Sequence, residues 1–423
     1  MSDDARAQAT GSAERASGGV AGRGVHLGFL LVTLCLIAVN MRATITGIGP
    51  LLEQLTADTG VPLAALSALT SVPLVAWALC SPLAHTAAQR WGLNRVLTVS
   101  LILLTAGTVI RSLPFVSVGG WPIATLWLGT AVIGASLAAA NVLLPAVVKQ
   151  SFGTRVPLVT AVYTALLAGC GAIASGLVVP ISHVRTGEDP WGWRIALVAV
   201  CATLPIAAAL WMIHHRRAGH GRAARRAAGV RRGPSVWGDA VAWQVGAYFG
   251  VQASLFYVLL TWIAPMAISY GRGEAQSGVD TMMFQLTGVI SSLGLPFVLR
   301  GRLERWVPAL LPLLALVAVL GMIVAPGGIL WWGMLAGLTS GASLAMSLTL
   351  MASRARDHHT ASALSGMGQS VGYAFAAFPP IVFGLLHTAV GGWIASLAFA
   401  AILLCTQALL GLLVGRDRYV LDR

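Results

Sequence analysis

The sequence predicts an all-α polytopic membrane protein of about twelve transmembrane helices, arranged as two pseudo-symmetric six-helix bundles. Three observations predict it. The chain is 57% apolar and only 10% charged, whereas a soluble domain carries about 25% charged residues, so the excess apolar surface must face lipid. The charges fall in short runs between apolar stretches of about 20 residues, the length that crosses a hydrocarbon core of roughly 30 Å. The basic residues also alternate, rich in one connection and sparse in the next.

Residues 1–24 are small, polar and mixed in charge and read as a disordered tail. The apolar run from Leu27 resembles a signal peptide only superficially. No small-residue cleavage site follows it, and the chain continues into further membrane-like sequence. The expected spans are 27–50, 63–88, 95–114, 122–148, 156–183, 193–213, 238–268, 279–299, 306–325, 329–352, 361–388 and 391–414. They group into a first bundle over 25–213, a basic linker over 214–236, a second bundle over 237–415 and a short tail over 416–423.

Alternate connections carry Arg90 and Arg95, then Lys149 and Arg155, then the arginine-rich linker, then Arg300, Arg302 and Arg305, then Arg354 and Arg356. The opposite connections hold mainly Glu53, Asp58, Glu188, Asp189, Glu274 and Asp280, with Arg111, Arg185 and Arg272. Positive loops stay inside, so both termini are expected in the cytoplasm of a cell with this protein in its inner (plasma) membrane. The same rule accounts for the net charge of +13, and no nucleic-acid partner is expected. The five cysteines, Cys35, Cys80, Cys170, Cys201 and Cys405, all lie in apolar stretches without a CxxC pair, so they read as buried thiols rather than disulfides or metal ligands.

The halves resemble each other. A shift of 200 residues lays Thr160 on Thr360 and Pro180 on Pro380, and Pro50 and Pro265 each close the apolar first helix of their half. Repeated halves around a midplane site are the usual build of secondary transporters.

Arg42 stands out among the candidate site residues. A charge at membrane depth costs about 2.5–3.5 kcal/mol on insertion scales. Either it lies near the outer interface and snorkels to water, or it faces a central aqueous cavity. In the second case its fork of five donors suits a small anion or an electronegative group such as a nitro. No acidic residue is expected at mid-depth, so a ligand could be its partner. Asn40 flanks it. Asn141, followed by a kinking Pro145, either bonds across helices or lines the cavity. Tyr163, Gln252, Tyr257, Trp262, Gln369 and Tyr373 read either as interhelical glue or as a polar, aromatic pocket drawn from both halves. His183 and His387 lie near helix ends and read as structural.

The chain has no GxxxxGK[ST], HExxH, GxSxG or TVGYG-like segment, which argues against ATP binding, hydrolysis and a channel filter. It is not expected to be an enzyme or to need a cofactor or metal.

The segments NMRATITGIGPLL (40–52), NVLLPAVVK (141–149), AVYTALLAG (161–169), WGWR (191–194), WQVGAYFGVQASLFYVLLTW (243–262) and ALSGMGQSVGYAFAAFPPIVFGLLH (363–387) recur in order. In these the chain resembles the major facilitator superfamily, and within it the cyanate and nitroimidazole porter branch (CynX/NimT type). The resemblance implies the two-bundle rocker fold, alternating access and small substrates of the cyanate or nitroimidazole kind. It also implies a gating loop at Arg90, Gly92 and Arg95, although Gln89 stands where the superfamily has an aspartate. The fifth helix carries Gly169-Cys170-Gly171 in place of the Gly-Pro pair of drug/proton antiporters.

The reading is a monomeric secondary transporter of a small anionic or electronegative solute, working in the lipid bilayer. The alternative is a drug or toxic-compound exporter with Phe256, Tyr257 and Trp262 as an adaptable aromatic wall. It would accept unrelated hydrophobic compounds and depend on Arg42 for only some of them. A sensor would bind without flux.

Overall fold

Without water to satisfy them, backbone N–H and C=O groups in hydrocarbon must pair inside their own segment, so apolar stretches of this length fold as helices. The computed structural model describes residues 27–113, 124–185, 191–217, 235–299, 304–356 and 358–422. The expected N-terminal tail and most of the basic linker lie outside the described residues. Among the described residues, twelve helical spans are long and apolar enough to cross a membrane. They are α1 (Leu27–Thr59), α2 (Leu63–Ser81, its helix continuing to Trp91), α3 (Leu93–Ser112), α4 (Ala124–Phe152), α5 (Leu158–Ser182) and α6 (Gly192–Arg216). The second six are α7 (Ala240–Ser269), α8 (Glu274–Val298), α9 (Val307–Val324), α10 (Pro326–Ser353), α11 (Ala363–Val390) and α12 (Trp393–Val414).

Twelve spans return the chain to the side it started from, so Leu27 and Val414 share one face, the terminal face; the other is the far face. In the first six-helix bundle α4 packs on α2 and α3; in the second α8 packs on α10, α7 on α11 and α12, and α9 on α12. The bundles meet along two seams, α5 against α8 and α2 against α11. The repeat read from Thr160 and Thr360 thus maps onto α5 and α11, one at each seam. α7 is the most enclosed span, with 89% of its apolar window buried, which is why its residues are apolar on every side rather than on one stripe.

Three spans break. α1 is helical to Thr46, turns through Gly47 and a 3-10 segment at Gly49–Leu51, and resumes as a helix over Leu52–Thr59. α6 loosens at 200–203 and α11 at 377–378. The prolines therefore do not end helices as expected. Pro50 sits at the start of the 3-10 turn, where its missing N–H leaves no bond unmade, and α7 runs on past Pro265 to Ser269.

The expected gating loop is also a helix junction. Arg90 belongs to the helix Leu63–Trp91 and Arg95 to α3, and Gly92 alone turns the chain, at φ +90°, a conformation open to glycine. The C-terminal tail is docked rather than free: Val420 N–H donates to Arg354 O at 2.9 Å, and Arg356 pairs with Asp422 at 2.7 Å. The five cysteines are all free, but only Cys201 is buried, and Cys405 is exposed on a spanning helix.

Helices can cross this closely only where side chains are small. At the α8–α10 crossing a Cβ on Gly341 would run into the carbonyl of Gly288, and one on Gly337 into the carbonyl of Phe284. Overpacking such a site costs about 1–3 kcal/mol. Gly341→Val is therefore expected to lower the thermal unfolding midpoint of the purified protein clearly, whereas Gly366→Ala, where a Cβ would have nothing within 4 Å, is expected to leave it unchanged; differential scanning fluorimetry in detergent reads both.

Candidate functional site

Arg42 lies on the last full stretch of α1 before the break. Its side chain leaves the first bundle because α5 has no side chain in its way: a Cβ on Gly171 would stand 2.5 Å from Arg42 Cγ. The guanidinium reaches the second bundle, where Nη1 donates to the Tyr257 hydroxyl at 3.2 Å and the charge lies 5.4 Å from the centre of the Phe256 ring. Cation–π contact of this kind contributes about 0.5–2 kcal/mol. No described carboxylate pairs with it.

The rings around it form a continuous arc. Phe249 meets Tyr373 at 5.3 Å, Tyr373 meets Trp77 at 5.1 Å, and Trp77 meets Tyr257 at 6.4 Å. Tyr257 meets Phe256 at 5.1 Å, and Phe256 meets Phe284 at 5.6 Å. Trp77 of α2 is inserted between two tyrosines of the second bundle, so the arc joins the halves. Against it lies a cavity of about 90 Å³ lined by Arg42, Ala168, Phe256, Phe284, Gln285 and Ser340, with Gly288 and Gly341 along one wall. That is room for one small solute, well beyond the roughly 10–15 Å³ that a single water requires. Larger grooves near Trp91 and Arg95 and near Arg305 and Trp306 open at the terminal face, away from this charge.

From mid-depth to the far face the halves are closed on each other. Gln285 Nε2 donates to Ser175 Oγ at 2.7 Å, and Thr261 Oγ1 to Thr70 Oγ1 at 2.9 Å. Gln54 Nε2 donates to Glu274 at 2.7 Å and to Ser182 at 3.0 Å, with His183 3.5 Å from the same carboxylate. The carbonyl of Leu260 lies so near Gly49 that a Cβ there would come within 2.6 Å of it. Toward the terminal face, Asn141 is exposed at mid-span, together with Pro145 and Lys149 one and two turns on. Hydrocarbon would leave that amide without partners.

Of the expected site residues, the structure brings Arg42, Tyr257 and Tyr373 together. Three others are elsewhere. Asn40 is two residues from Arg42, about 200° around the helix, and is sealed inside the first bundle, donating to Leu36 O at 2.7 Å and to Thr203 Oγ1 at 2.8 Å. Gln252 lies behind the cavity, its Nε2 on Ser340 O at 3.2 Å. Trp262 is fully buried in the second bundle, donating to Pro380 O at 2.9 Å and packed on Phe383 and Trp393. Tyr163 is half-buried on α5, and Gln369 donates to Ser365 Oγ at 2.8 Å; neither contacts Arg42.

Trp77, Phe284, Gln285 and Ser340 were not singled out from sequence. Gln285 could have been, as an amide at the centre of an apolar span. Arg111 corrects a further expectation. It is not in a connection but fully buried in α3, donating from Nη1 to Thr44 O at 2.6 Å. The α1 break turns Ile48 N–H to Ile45 O, so the Thr44 carbonyl lies at a helix end without its usual donor. Arg111 supplies one, and the negative end of the helix dipole faces its charge.

These features define a multi-pass membrane transport protein rather than an enzyme. The chain belongs to the Major Facilitator Superfamily, whose model matches residues 34–377. It is 35% identical to the 2-nitroimidazole transporter of Escherichia coli strain K12 over 92% of this chain and 96% of that protein. It is 28% identical to the cyanate transport protein CynX of the same organism over 90% and 95%, and 30% identical to the uncharacterized transporter YycB of Bacillus subtilis strain 168 over 93% and 94%. Its fold is similar to a bacterial homologue of the human lysosomal transporter Spinster in an inward-facing, unoccupied conformation, with TM-score 0.77, 15% identity and coverage of 92% and 97%. The inward-open xylose transporter XylE of E. coli gives 0.68, 13%, 91% and 95%.

The two kinds of placement separate in measurement. Trp262→Ala is expected to destabilise by about 3–5 kcal/mol and Asn40→Ala by about 1–3 kcal/mol, both seen as lowered unfolding midpoints. Asn141→Ala, at an exposed position, is expected to stay within about 0.5 kcal/mol of wild type.

Proposed function

We propose that this protein carries a small anionic or electronegative solute, of the nitro-substituted or cyanate-like kind, across the membrane by alternating access, with Arg42 as its anchor. The observation that carries this is a guanidinium at membrane depth whose contacts in the protein are a tyrosine hydroxyl and an aromatic face. Neither neutralises it, and an electronegative solute in the adjoining cavity would. Tyr257 and Tyr373 hold the aromatic arc beside the solute. Asn141, Tyr163 and Gln369 belong to the approach from the terminal face. The names of two relatives, a 2-nitroimidazole transporter and a cyanate transport protein, point to the same chemistry.

Arg90, Arg95, Lys149, Arg155, Arg305, Arg354 and Arg356 all lie toward the terminal face, which makes it the cytoplasmic one by the positive-inside rule. Closure from mid-depth to the far face, with an aqueous opening on the terminal side, is then the inward-facing arrangement. The two seams would part and re-form as the bundles rock, with the monomer as the working unit. The alternative of a broad aromatic wall for hydrophobic drugs is weakened by Trp262, which is packed inside the second bundle.

Ligand binding to the folded protein raises its stability by RT ln(1+[L]/Kd), about 2.7 kcal/mol at a hundredfold excess over Kd. In a panel of cyanate, nitrate, short carboxylates, a nitroimidazole and cationic dyes, a small electronegative compound is expected to stabilise the wild type. Arg42→Ala is expected to bind it about 10- to 100-fold more weakly, with Arg42→Lys intermediate because a point charge replaces a fork. Equal stabilisation of Arg42→Ala and wild type would exclude the anchoring role.

A further inference from the structure

Gln285 lines the same cavity as Arg42 and also spans the seam between the bundles. Which end of its amide faces the cavity is fixed by the hydrogen bonds around it. The Ser175 hydroxyl donates its single proton to Ala172 O at 2.7 Å. Toward Gln285 it can therefore only accept. The group 2.7 Å from Ser175 Oγ must be the donating end, Nε2. Thr281 O, a second pure acceptor, lies 3.5 Å from the same nitrogen. The opposite orientation would set a carbonyl oxygen against two acceptors. Oε1 is thus the other end of the amide. It takes no hydrogen bond from a described residue, and it is not among the polar atoms sealed in protein without a partner. Its open side is the cavity.

The cavity then has two poles of opposite demand. Arg42 offers only donors. Gln285 Oε1 offers only an acceptor. The Phe256 and Phe284 rings, 31° from parallel, and the glycine wall line the same cavity. The Ser340 hydroxyl, on the residue beside them, is sealed in the protein without a partner rather than open to the cavity, so it imposes no choice.

We infer that the solute carries a hydrogen-bond donor as well as an electronegative group, and that Gln285 is the residue that selects for the donor; this rests on the anchoring role given to Arg42 above. A planar nitro-substituted azole with a ring N–H meets both poles: nitro group to the guanidinium, N–H to Oε1, ring faces to the phenylalanines. Cyanate and nitrate have acceptors only. Bound in this cavity they displace water from Oε1 and leave it unpaired. A site built to pair a donor rejects an analogue that lacks it more strongly than an apolar pocket rejects a change of size.

The pair 2-nitropyrrole and 2-nitrofuran isolates the donor, since both are five-membered nitro-substituted rings and the N–H of one is replaced by a ring oxygen in the other. Kd values would be measured by calorimetry on the purified full chain in nanodiscs. Wild type is expected to bind 2-nitropyrrole about tenfold or more tightly than 2-nitrofuran. Gln285→Met, close in length and with only the weak acceptor of a thioether, is expected to bring that ratio toward one by weakening the pyrrole. Ser175→Ala frees the amide to turn and is expected to reduce the ratio partly. The wild-type ratio needs no variant, so a misfolded Gln285→Met does not shelter the inference. Binding that depends on Arg42 but shows no preference between the two compounds overturns the donor requirement alone, as does a preference that survives in Gln285→Met. Binding of both compounds unchanged in Arg42→Ala overturns the anchoring role and this inference with it.

Discussion

Arg42 places a positive charge at membrane depth with no described carboxylate to meet it, and much of the surrounding architecture follows from accommodating it. The insertion penalty of about 2.5–3.5 kcal/mol is lowered by contacts that polarise toward a cation without cancelling it: the Tyr257 oxygen and the Phe256 face. A neighbouring aspartate would have been a stronger partner, and it would have satisfied the guanidinium permanently. The weaker arrangement leaves the fork short of acceptors and borders it with a cavity.

That arrangement depends on features remote from the charge. Gly171 clears the path along which the side chain crosses to the second bundle. The α1 break after Thr46 lets the chain approach the Leu260 carbonyl, closing the far side just beyond the site. The carbonyl freed by the break is taken by Arg111, whose Nε and Nη2 have no partner among the described residues. A buried, under-satisfied arginine is retained where it holds the end of the helix that carries Arg42. The two arginines thus differ in kind: one pins a backbone, the other faces a cavity.

The membrane architecture was legible in the sequence because lipid imposes one rule on every residue of a span. Twelve apolar runs, and arginines on alternate connections, follow from that rule directly. Arg42 was legible for the same reason, as an exception to it. What could not be read was azimuth. Asn40 and Arg42 are neighbours in sequence and face opposite ways, and Trp262 looks like a site aromatic until Pro380, Phe383 and Trp393 are seen around it. The apolar pattern gives little help there, because helices enclosed on all sides have no polar face to orient them. The breaks in α6 and α11 are each followed by proline, Pro205 in one and Pro379 with Pro380 in the other, but a proline inside an apolar run does not by itself mark a break, since α7 runs on past Pro265. Ser340 was hidden among many similar serines, and Arg111 lay at the edge of a span, where a connection was the simpler reading.

The central claim is that the unneutralised charge of Arg42 is completed by the transported solute. It is tested most directly by an experimentally determined structure of the full chain in a lipid nanodisc with a bound nitro-substituted azole. The account predicts density for the compound in the cavity against Phe256 and Phe284, its electronegative group within hydrogen-bonding distance of the Arg42 guanidinium and its ring edge toward Gln285. Density confined to the terminal-face grooves near Trp91 or Trp306, with Arg42 still turned to Tyr257 alone, would contradict it.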